Sequence, residues 1–132
     1  LQRNFSKLIH PTMAWVITAA IFMLLHMGNP AQNLLAMPGI FVGGLLLGVN
    51  YLFTKNLWFG IGFHWAWNFL QGSVLGFPVS GIELPALLSQ THVGSAFITG
   101  GSFGIEASAI VIGIQLLIIL LLYKIFKEHQ SS

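Results

Sequence analysis

Of the 132 residues, 55% are hydrophobic and only 6% are charged, far below the roughly one-quarter charged fraction of a soluble domain, so lipid is the solvent for most of this chain. Five basic residues against three acidic ones are too few for a nucleic-acid patch. The absence of cysteine excludes disulfides and thiolate chemistry, and the length suits a single membrane-embedded domain with no second soluble one.

The chain opens Leu1-Gln2-Arg3, without an initiator methionine or a signal-peptide layout, and reads as the C-terminal part of a longer sequence. A short basic leader ends at Pro11. Four apolar stretches follow: residues 12–27, closed by Gly28-Asn29-Pro30; residues 38–54, closed by Lys55-Asn56; residues 57–77, ended by Pro78; and residues 105–126, stopped by Lys124, Lys127 and Glu128. Each meets or approaches the ~20 residues needed to cross a bilayer, which predicts an all-α, polytopic bundle of about four transmembrane helices. With four crossings, Arg3, Lys7, Lys55, Lys124 and Lys127 all fall on one side. The positive-inside rule makes that side, and both termini, cytoplasmic.

The second stretch carries Gly39/Gly43 and Gly44/Gly48, a spacing that lets helix backbones approach closely in lipid. Asn50, seven residues after Gly43, is predicted to hydrogen-bond across the bundle. The loop over residues 79–104 holds Glu83, His92 and a glycine-rich run and is long for a connector. Its ordinary reading is a surface loop with glycine turns; the alternative is a lid or a partly re-entrant segment. Ser131-Ser132 is predicted to be a frayed tail.

The third stretch carries Gly60, His64, Asn68 and Gln71 along one helical face. Polar groups at this depth normally face a bundle interior or a wet cavity. An asparagine amide can donate to an oxyanion, and a histidine can act as base, donor or metal ligand. A purely structural role, hydrogen bonds that tie helices together, explains the pair equally well from this stretch alone. His26 lies four residues after Phe22, near the end of the first stretch, where an interfacial histidine is the ordinary reading. Paired with His64 it can help bind a metal or activate a water. A catalytic zinc takes three protein ligands, and Glu83, Glu106 and Glu128 all read as lying away from the histidines, so the inventory is one carboxylate short. Straight spans put His26 ~21 Å and His64 ~10 Å from the cytoplasmic end, so the pairing requires helix tilt.

Phe22-Met23-Leu24-Leu25-His26 followed by His64-Trp65-Ala66-Trp67-Asn68 resembles the second and third motifs, FxxxH and HxxxN, of the CPBP family. These are the CAAX-prenyl-protease and bacteriocin-processing intramembrane proteases, also known as the abortive-infection family. The resemblance extends through the glycine-bearing residues 39–58 and the run Thr99-Gly100-Gly101-Ser102-Phe103-Gly104-Ile105-Glu106, as in bacterial members. The family's first motif, EExxxR, precedes FxxxH, and Leu1-Gln2-Arg3 resembles the residues just after it. Its glutamates would therefore fall upstream, and residues 1–132 alone are expected to be inactive. The resemblance implies an integral protein of a bacterial plasma membrane that cleaves peptide bonds of membrane-associated protein or peptide substrates. In that implication a glutamate and His26 activate the water, while His64 and Asn68 stabilise the oxyanion. The family's metalloprotease label implies a divalent metal, zinc, for which His26 and His64 are the only intramembrane candidates. The partners are then membrane lipid and the substrate, with no nucleic acid. Two other classes compete: a non-catalytic immunity or scaffolding protein of the same fold, motivated by the missing carboxylate, and a small transporter or channel subunit. The near absence of intramembrane charge argues against the latter.

Overall fold

Residues 1–130, apart from His92, are described by a computed structural model, and among them there are helices and no strand. The leader forms a short turn, α1 (Gln2–Phe5), tethered where the Gln2 amide donates to the Gly48 carbonyl at 3.2 Å. His10 then caps α2 (Pro11–Leu25) by accepting the Thr12 N–H on Nδ1 at 3.3 Å. Pro11 occupies the first turn, where a missing N–H leaves no intrahelical bond unmade. Next come α3 (Ala36–Thr54) and α4 (Trp58–Asn68), the latter continuing as a π-helical segment over Phe69–Val74. A four-residue α5 (Ala96–Thr99) and two 3₁₀ turns, Gly101–Phe103 and Ile105–Ala107, lead into α6 (Ala109–Gln130).

Helix α3 is the centre, packed by α2, α6 and α4. Its Val42, Leu46 and Val49 form the main core with Trp15 of α2 and Ile119 of α6. The glycine spacing has the predicted consequence. A Cβ at Gly44 would lie 3.1 Å from the Ala19 Cα, and one at Gly39 would collide with the Glu106 carbonyl. Backbones thus meet without intervening side chains, the geometry that dispersion forces favour inside lipid. The outer faces of α4 and α6 present Trp58, Trp65, Leu117, Leu120 and Leu121, an apolar surface of the kind lipid covers. Helices α3 and α6 are long and apolar enough to cross a membrane; α2, at 15 residues, is shorter.

At one end of the bundle Phe53 stacks on Phe126 with ring centroids 5.4 Å apart and meets Tyr123 edge-on. The C-terminal ends of α3 and α6 are therefore neighbours and the two helices run parallel. Arg3 and Lys55 line a shared surface cleft. The basic residues of the leader, of the α3–α4 connection and of the α6 end gather at one end, as the charge pattern anticipates.

Four details differ from the sequence reading. The fourth helix begins at Ala109, because Gly104 turns the chain at φ +109° and a 3₁₀ turn intervenes. The third stretch leaves its helix after Val74, short of Phe77. Asn50 bonds locally rather than across the bundle, its amide donating to the Asn56 carbonyl at 3.2 Å. The long loop divides. Glu83 and its neighbours up to residue 91 are exposed, whereas residues 99–108 fold into the bundle, with Phe103 fully buried against Ala36 and Ile40. The Gly81 N–H to Phe103 carbonyl bond, at 2.7 Å, and the Asn33 amide to Gly100 carbonyl bond, at 2.9 Å, fix that inner part. His92, Ser131 and Ser132 lie outside the described residues.

Candidate functional site

His26 closes α2 as its C-cap. Its Nδ1 is 2.7 Å from the carbonyl oxygen of Phe22, one turn back. A carbonyl only accepts, so Nδ1 carries the proton and Nε2 keeps its lone pair, free to act as base or ligand. The Phe22 ring lies 4.4 Å from the His26 ring and, edge-on, 5.5 Å from that of His64. This is the physical content of FxxxH: the phenylalanine supplies both the carbonyl that sets the tautomer and a ring that packs on both imidazoles.

On α4, Asn68 donates from Nδ2 to His64 Nε2 at 3.2 Å. That bond occupies the Nε2 lone pair and leaves the ring proton of a neutral His64 on Nδ1. Gly60, one turn before His64, faces the Leu47 carbonyl, so α4 sits close on α3. The stripe predicted along this helix therefore divides its labour. Gly60 packs, His64 faces the cavity, Asn68 orients His64, and the Gln71 amide pins the π-helical end by donating to the Pro78 carbonyl at 2.6 Å.

His26 and His64 line one cavity of about 40 Å³ together with Phe22, Gly43, Phe63, Trp67 and Glu106, room for a couple of water molecules. Glu106 corrects the sequence reading, which set it apart from the histidines. It is 7% exposed, and its Oε2 accepts the Ser80 N–H at 2.6 Å and the Ser80 hydroxyl at 2.9 Å. It lies in the connection outside the spanning helices. There burial pushes its carboxyl up from the ordinary carboxylate value, while the Ser80 and Gln71 hydrogen bonds and the field of His26 pull it back down. The signal was present in the sequence: a lone acidic residue closing a glycine-rich run just before an apolar stretch. Gln115 of α6, also absent from the predicted set, lines the same cavity.

Among the described residues no three His, Cys, Asp or Glu side chains converge as a metal ion requires. His26 and His64 are two donors, Asn68 occupies His64 Nε2, and Ser80 holds Glu106 Oε2. Zinc does not fit these residues as they stand. Two imidazoles from different helices and one carboxyl group thus share a cavity with room for water.

A family model described as type II CAAX prenyl endopeptidase Rce1-like matches residues 1–70, the segment that contains Phe22, His26, His64 and Asn68. No curated protein and no solved structure matches the chain. The family model covers more than half of the sequence, and the chain belongs to the Rce1-like family of type II CAAX prenyl endopeptidases.

Proposed function

We propose that this protein is an intramembrane endopeptidase that hydrolyses peptide bonds of membrane-associated protein or peptide substrates with water activated between His26 and His64. The observation that carries the reading is the meeting of two histidines from different helices in one water-sized cavity, around the ring of Phe22. In the reaction His26 Nε2 takes a proton from water as its oxygen attacks the scissile carbonyl carbon. His64, held by Asn68, donates from Nδ1 to the developing oxyanion. The C–N bond then breaks, and the proton held on His26 passes to the leaving amine. The Glu106 carboxylate, lining the same cavity, stabilises the imidazolium that His26 becomes in between. The setting is a multi-pass protein of a bacterial plasma membrane with its basic end cytoplasmic, and its partners are lipid and the substrate.

The test uses the full-length protein in lipid vesicles, incubated with a library of apolar decapeptides and read by mass spectrometry. The reading predicts cleavage that falls about 10²- to 10³-fold in H64A, the usual loss for an oxyanion donor. Unchanged cleavage in H64A, or none by the unmutated protein, overturns it.

A further inference from the structure

Helix α6 faces outward along most of its length, with only 11% of its most apolar window buried. From Ala109 to Leu122 its single polar side chain is Gln115. That side chain is turned inward, 7% exposed, and lines the cavity shared by His26, His64 and Glu106. Its Oε1 has no hydrogen-bond donor among the described residues. A buried amide oxygen left without a partner is unfavourable, and a helix that only packs on α3 would be better served by leucine. Across from it, Gly43 leaves the amide free space, since even a Cβ there would lie 3.9 Å from Gln115 Nε2.

Peptide hydrolysis at membrane depth sets a requirement that this feature meets. A substrate segment must leave its helix before water can reach a carbonyl, and its freed N–H and C=O groups find no water in hydrocarbon. The protein has to supply their partners. A glutamine amide offers a donor and an acceptor side by side, the complement of a peptide group. The Glu106 carboxylate, anchored on Ser80, is acceptor-only and suits a further N–H.

We propose that Gln115 is a substrate-binding residue whose amide pairs with a backbone peptide group of an unwound substrate segment, with Glu106 accepting a neighbouring N–H. The proposal rests on the endopeptidase reading and adds a recognition element from the half of the chain that the family model does not cover.

The test takes the best-cleaved decapeptide from the library and a set of its analogues in which each backbone N–H in turn is replaced by an ester oxygen. These are assayed with full-length protein as wild type, Q115M, Q115N and E106Q. The expectation is that one ester analogue loses about tenfold in kcat/KM with wild type, the scale of one hydrogen bond. Q115M raises KM by about tenfold with kcat nearly unchanged, and it no longer discriminates against that ester. Q115N keeps the amide but shortens its reach; it gives the same KM rise and guards against a folding defect in Q115M. E106Q, still able to accept, raises KM less than Q115M, while its kcat falls because the charge beside His26 is gone. If Q115M and Q115N keep the wild-type KM and the wild-type ester sensitivity, the proposal is overturned and the amide serves packing or ordered water alone. Absence of any cleavage by the wild type instead overturns the endopeptidase reading beneath it.

Discussion

The ring of Phe22 contacts both His26 and His64, its centroid 4.4 Å from one imidazole and 5.5 Å from the other. It packs against both bases, and its carbonyl assigns the proton of His26. The F22A variant removes this shared contact and lets both rings turn. We expect kcat to fall about 10²-fold, the effect of misplacing catalytic groups by an ångström, while F22L, which keeps most of the volume, loses less. Steady-state cleavage of one peptide by the two variants checks this order; equal activity of F22A and wild type would remove the ring from the account.

The tautomers are directly observable. Nitrogen NMR of the ¹⁵N-histidine-labelled protein should show both neutral rings protonated on Nδ1, His26 through the Phe22 carbonyl and His64 through the Asn68 amide. N68A should release His64 to a mixture of tautomers, leave His26 as it is, and lower kcat by about 10- to 10²-fold. A His64 signal that does not respond to N68A would separate the asparagine from its assigned role.

Glycine substitutions test how the bundle brings Glu106 to the histidines. G39A places a methyl group against the Glu106 carbonyl, where nothing can yield but backbone, and should lower stability by about 1–3 kcal/mol together with activity. G113A meets no atom within 4 Å and sits inside α6, where alanine is the better helix former by about 0.5–1 kcal/mol. Thermal unfolding in detergent should therefore move the two variants in opposite directions.

What the sequence reveals follows from how local each feature is. FxxxH and HxxxN each lie on one helical turn, so spacing alone predicts that their members share a face. The glycine spacing of α3 likewise forecasts close approach, because it depends on a single helix. Glu106 is not legible in this way: the irregular chain between residues 75 and 108 must reverse, bury Phe103 and turn at Gly104 before its carboxylate reaches the cavity. The straight-span estimate sets the histidines ~11 Å apart in depth, yet both line one cavity. It omits tilt and the reach of Phe22, which lies a turn nearer the basic end than His26 and bridges part of the difference. Asn50 shows the opposite error, where a helical face suggests a long-range partner and the chain's own reversal at Asn56 supplies a nearer one.

Sidedness has its own check, since residues 1–132 contain no cysteine. A cysteine introduced by K127C should react with a membrane-impermeant thiol reagent only from the cytoplasmic side, and one introduced by E83C only from the outside, if the basic end is cytoplasmic. The reverse pattern would invert the orientation without altering the site.

The central claim is that His26 and His64 act as one unit, and a double-mutant cycle on peptide cleavage by the full-length protein tests it most directly. Groups that share one reaction step are strongly non-additive, so H26A, H64A and the double variant should all fall to about the same residual rate. Losses that multiply in the double variant, or a single variant with wild-type activity, would contradict a shared site.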